Sequence, residues 1–186
     1  MVARAKRSVL AGVEPLSPRR KWRAITLATL LLVPGYWSLV TGLVAEGLHK
    51  ENAPFAAPYI AFGLVILPFV FLALAFLSEH PRASGATAKA LVLTILVGAP
   101  VSAFAGDAVT GFVAGVGAGG IVAMRADVAH SWRARAIAVL TVSAYVFILI
   151  RSVAVIGLLL APVLPFTSIG VADHLSERRR EREAGA

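Results

Sequence analysis

"YVFILIRSVAVIGLLLAPVLPF", residues 145–166, carries one charge, Arg151, within an otherwise apolar stretch. The run it belongs to extends from Ala136 to Ala172, 37 residues with Arg151 as the only charge. As a single helix that run would be roughly 55 Å long, against a membrane hydrocarbon core of about 30 Å. Either one tilted helix holds a guanidinium inside the membrane, or the chain turns at Arg151 and comes back. The choice sets the number of crossings and the side on which the chain ends.

Working outward, the run has a counterpart. Ala90 to Met124 is 35 residues long with a single charge, Asp107, and "FAGDAVTG" supplies a turn signal at its middle. Two short crossings joined at Asp107 are expected there. Upstream lie two ordinary blocks, "AITLATLLLVPGYWSLVTGLVA" (24–45) and "PYIAFGLVILPFVFLALAFL" (58–77), each of spanning length. Residues 9–13 are too short an apolar core for a signal peptide, so the first block is read as an uncleaved helix. The chain is 58% hydrophobic and 15% charged, with mean hydropathy +0.80. A soluble domain is about 45–50% apolar and about 25% charged, and would leave these blocks without enough protein to bury them.

Charge counting bears on the Arg151 question. With six crossings, 16 of the 18 Lys and Arg residues fall on one side, leaving Lys50 and Arg151 on the other. With five, "RRRER" (178–182) moves across and Arg151 stays inside the membrane, at a cost of about 2.5–3.5 kcal/mol on insertion scales. The positive-inside rule favours six. Against it, Ile150-Arg151-Ser152 has no Gly, Pro or Asn to make a turn. The first leg, 136–150, is also about 22 Å long and needs residues 132–135 to extend it. Six crossings are the expectation, with five as the alternative.

The net charge of +8 could suggest nucleic acid, but the bases flank the apolar blocks, where anionic lipid attracts them. No nucleic-acid partner is expected. Cys is absent, which removes disulfides, thiolate metal sites and cysteine nucleophiles.

Few constellations carry chemistry. Asp107 and Arg151, opposite charges at the midpoints of the two long runs, form a possible charge pair or separate anchors that end helices; the functional alternative is a coupling pair for transport. Gly111, Gly115 and Gly119 repeat GxxxG in register, a face on which membrane helices approach closely, within the chain or against a partner. Prolines 34, 68, 100, 162 and 165 fall inside crossings and predict kinks or breaks. Glu79-His80 and Asp127 with His130 have the residue types of a divalent-metal site, but four such residues in two polar loops read as solvated. No catalytic, metal or cofactor site is expected.

The stretches "VTGFVAGVGAGGI" (109–121) and "LPFTSIGVADHLSERRR" (164–180) resemble those of uncharacterised multipass membrane proteins of high-GC Gram-positive bacteria. They cover about a sixth of the chain. The resemblance implies a bacterial cytoplasmic membrane location and no activity.

The expected architecture is all-α: a polytopic bundle, several of its helices Pro-kinked, with spans near 24–45, 58–77, 90–106, 108–124, 136–150 and 152–172. A basic cytoplasmic tail (1–23) precedes it and a charged cytoplasmic tail (173–186) follows. The polar segments are too short for a catalytic domain. The expected function is a non-enzymatic accessory or scaffold subunit, meeting another membrane subunit or a second copy through the glycine face, among membrane lipids. A small-solute or lipid transporter working as an oligomer is the alternative.

Overall fold

The computed structural model describes residues 16–48, 56–125 and 131–184, all helices and their connections. Among these residues there are seven helices and no strand: α1 (Pro18–Leu48), α2 (Ala56–Leu77), α3 (Ala83–Ala105), α4 (Ala108–Ala123), α5 (Ser131–Ser152), α6 (Ala154–Leu160) and α7 (Leu164–Ala184). Four of them, α1, α2, α3 and α5, are long and apolar enough to cross a membrane; a fifth span results if α6 and α7, bent by 65°, count as one. Six full crossings are therefore more than the helix lengths give. The shortfall has a physical source: α4 has only 16 residues, about 24 Å, and the last apolar segment is broken.

Local chemistry sets the boundaries. Ser17 O accepts from the N–H groups of Arg20 and Lys21, with Pro18 in the first helical position, where its missing N–H costs nothing. The α3–α4 connection is two residues. Gly106 takes the left-handed conformation (φ 67°) and donates its N–H to Ser102 O; Asp107 Oδ1 then accepts from Thr110 N at 2.6 Å and caps α4. At Arg151 the chain does break, without Gly, Pro or Asn. Val153 leaves the helical conformation (φ −143°, ψ 77°), and Gly157 lets α6 fold against Ile150 of α5. Pro34, Pro68 and Pro100 stay within continuous helices, and Pro162 falls at the α6–α7 bend.

The helices pack as α1 with α2, α3 with α4, and α5 with α7, and α4 also touches α2, α5 and α7. That makes α4 the centre, with ten of its residues buried. One core cluster joins Ile25, Leu32, Phe71, Leu74, Val116, Met124, Phe166 and Ile169; a smaller one joins Tyr36, Val113, Val146 and Ala161. Large apolar side chains such as Ile95, Phe76, Phe104 and Leu140 point outward, Phe104 at 96% exposure. A coat of this kind suits lipid, not water. Residues 18–23 and 173–184, read from the sequence as tail, form the first turns of α1 and the continuation of α7.

Candidate functional site

The densest chemistry lies at one end of the bundle, where α1 begins, α2 and α4 end, and α5 begins. Its centre is Arg135, in the second turn of α5 and 1% exposed. Nε donates to Asp173 Oδ1 at 2.8 Å and Nη2 to Asp173 Oδ2 at 2.6 Å, a bidentate pair with α7. Nη1 donates to the carbonyls of Met124 (2.9 Å) and Ile121 (3.3 Å), and Nη2 also to Arg125 O (2.9 Å). The guanidinium thus has five bonds, matching its five N–H donors. It neutralises a buried carboxylate and covers the orphan carbonyls at the negative end of α4.

A second layer surrounds it. Glu79 ends α2 in a left-handed conformation (φ 53°) that closes the helix, His80 N donating to Ala75 O and Glu79 N to Phe76 O. Its carboxylate pairs with Arg20 and lies 3.7 Å from Arg125 Nη1. Ser78, fully buried, accepts from Arg125 N. Lys21 pairs with Glu177, tying α1 to α7. His80 Nδ1 accepts from Arg82 N. Burial first, then the cations Lys89 and Arg125, hold the His80 imidazole below its usual range, against the opposing Arg82 contact. A recess of about 560 Å³ opens here, lined by Arg20, Arg23, Phe76, Glu79 and His80 among others. Among the described residues no group of three or more His, Cys, Asp or Glu could hold a metal. Asp127 and His130 lie outside the described residues.

The residues singled out from sequence sit elsewhere. Asp107 and Arg151 both reach the α3–α4 turn, at the other end, with separate partners: Asp107 caps α4, while Arg151 Nη2 donates to Ala105 O at 2.8 Å. No ion pair joins them among the described residues. The glycine face is covered by the chain itself. A Cβ at Gly111 would meet Gly98 O and Ser102, one at Gly115 would meet Thr94 O and Gly98, and one at Gly119 would meet Phe71 and Thr94. Arg135 and Asp173 were not anticipated, although a signal existed. They are the two charges that bound the 136–172 run, so folding that run in half brings them together.

The chain matches no family model, no curated protein and no solved structure.

Proposed function

We propose that this is a non-enzymatic subunit of a membrane protein assembly in a bacterial cytoplasmic membrane, without a cofactor, and that its partner helix lies in the groove between α5 and α7. In this reading the chain traverses the membrane six times, with α4 as a short central traverse and α6–α7 as a bent one. Both termini are cytoplasmic.

One observation carries the reading: an open, largely apolar groove of about 660 Å³ along α5 and α7, whose lining includes small side chains at helical spacing beside larger ones such as Ile137 and Leu175. Ala134 and Ala138 are four apart on α5, and Ser168, Ala172 and Ser176 are four apart on α7. Small residues spaced in this way let a further helix come close, which is how helices associate where lipid offers no hydrophobic drive. The glycine face cannot serve, because α3 already occupies it.

Purification in mild detergent tests this. A stoichiometric membrane protein, or a second copy, should accompany the chain, and Ala138→Trp should release it without unfolding the chain. If wild type and variant both purify alone, the reading fails. Weight then moves to transport, which Tyr36 Oη inside the bundle and Asp107 Oδ2 at the α3–α4 turn, both without a partner among the described residues, would favour.

A further inference from the structure

Arg151 has one role within the chain and spare capacity for another. Its side chain is exposed, Nη2 holds Ala105 O, and the guanidinium carbon sits 5.4 Å from the Phe147 ring centroid. Among the described residues no carboxylate pairs with it, so most of its N–H donors have no protein acceptor.

Directly beneath lies a second groove, on the side of α5 away from the α5–α7 groove. It is about 520 Å³ and runs between α3, α4 and α5, lined by Val97, Val101, Ala114, Ala118, Leu140 and Ala144 among others. Ala105 and Phe147, the two groups that position Arg151, also belong to its wall. Along α4 it extends from Thr110 to Ile121 and along α5 from Ala136 to Phe147, about 16 Å in each case. That is about half of a hydrocarbon core of about 30 Å, the depth of one leaflet.

We propose that this groove binds an anionic phospholipid from the leaflet at the Arg151 end, one acyl chain in the groove and the phosphate on the guanidinium. Two observations converge. The lining is almost wholly apolar, and the Ser143 hydroxyl that reaches it is already bonded to Val139 O. A cation without a counter-charge stands at its rim, and guanidinium groups match phosphate oxygens in geometry as well as charge.

The test is native mass spectrometry of the delipidated full chain with phosphatidylglycerol, phosphatidylcholine or inorganic phosphate. One phosphatidylglycerol per chain should be retained, in preference to phosphatidylcholine, and excess inorganic phosphate should not displace it. Arg151→Ala should weaken retention about tenfold. Ala144→Trp, which fills the groove and leaves Arg151 in place, should abolish it. The thermal midpoint in detergent should rise with phosphatidylglycerol for wild type and not for Ala144→Trp. Equal retention by wild type and both variants would overturn the proposal. So would displacement by phosphate alone, which would mean a headgroup site without the groove. A dimer lost in Ala144→Trp would also overturn it, by assigning the groove to a second copy.

Discussion

Arg135 and Arg151 are both arginines at ends of α5, and their surroundings give them opposite weight. Arg135 is enclosed, and its guanidinium joins Asp173 to the carbonyl end of α4. Removing the carboxylate leaves a buried cation without a counter-charge, a loss of about 3–5 kcal/mol. Asp173→Ala should therefore lower the thermal midpoint in detergent severely. Arg135→Lys should lower it too, because a point charge cannot serve two carboxylate oxygens and three carbonyls at once. Replacing both, Arg135→Met with Asp173→Leu, should recover part of the Asp173→Ala loss, since apolar pairs often substitute for buried ion pairs. Arg151→Ala, at an exposed site, should cost about 0–1 kcal/mol. An Asp173→Ala protein as stable as the Arg151→Ala protein would refute this contrast. The sequence drew attention to Asp107 and Arg151 because each is a lone charge amid apolar residues. Arg135 and Asp173 look like ordinary boundary charges, and only the return of α7 beside α5 buries them.

At the scale of elements, α4 shows where patterning suffices and where it does not. The GxxxG register and the Gly-Asp turn were legible, because small residues four apart and a left-handed glycine before a capping Asp have direct geometric meaning. Which neighbour would take the glycine face was not, since spacing says nothing about partner identity. Nor did the sequence show that α4 would be central: its glycines meet α3 at Gly115, α5 at Gly117 and α7 at Gly120. The short α4 and the break between α6 and α7 also explain why counting apolar residues gives six segments while helix length gives four or five. A Cβ at Gly115 would press on the backbone oxygen of Thr94 and lie 3.0 Å from Gly98 Cα. Backbone cannot step aside, so Gly115→Ala should destabilise by about 1–3 kcal/mol, as overpacking does. Gly85, in the first turn of α3, has nothing within 4 Å of such an atom. There the same change should stabilise by about 0.5–1 kcal/mol through backbone entropy. Melting curves for the two variants should shift in opposite directions; a Gly115→Ala midpoint at or above that of the wild type would mean that α3 and α4 are not in backbone contact.

The whole molecule is a chain that repeatedly returns to its charged end. Arg20 meets Glu79, Glu79 approaches Arg125, Arg135 meets Asp173, and Lys21 meets Glu177. The contacts link the start of α1, the ends of α2 and α4, the start of α5 and the middle of α7. Arg151, in the last turn of α5, is instead beside the α3–α4 turn. If the bundle spans a membrane in this arrangement, Ser152 and Arg179 emerge on opposite sides. The chain contains no Cys, so an introduced thiol is the only one available to a maleimide, which needs an exposed, water-accessible thiolate. Ser152 and Arg179 are both exposed. Ser152→Cys should react with a membrane-impermeant maleimide in intact cells, and Arg179→Cys only after the membrane is permeabilised, in keeping with the basic excess on the cytoplasmic side. The five-crossing alternative reverses the pattern: a thiol beside a membrane-embedded Arg151 stays unlabelled, and Arg179→Cys reacts from outside. Labelling of Arg179→Cys in intact cells would therefore reject the six-traverse reading, and with it the shared cytoplasmic side of the two termini.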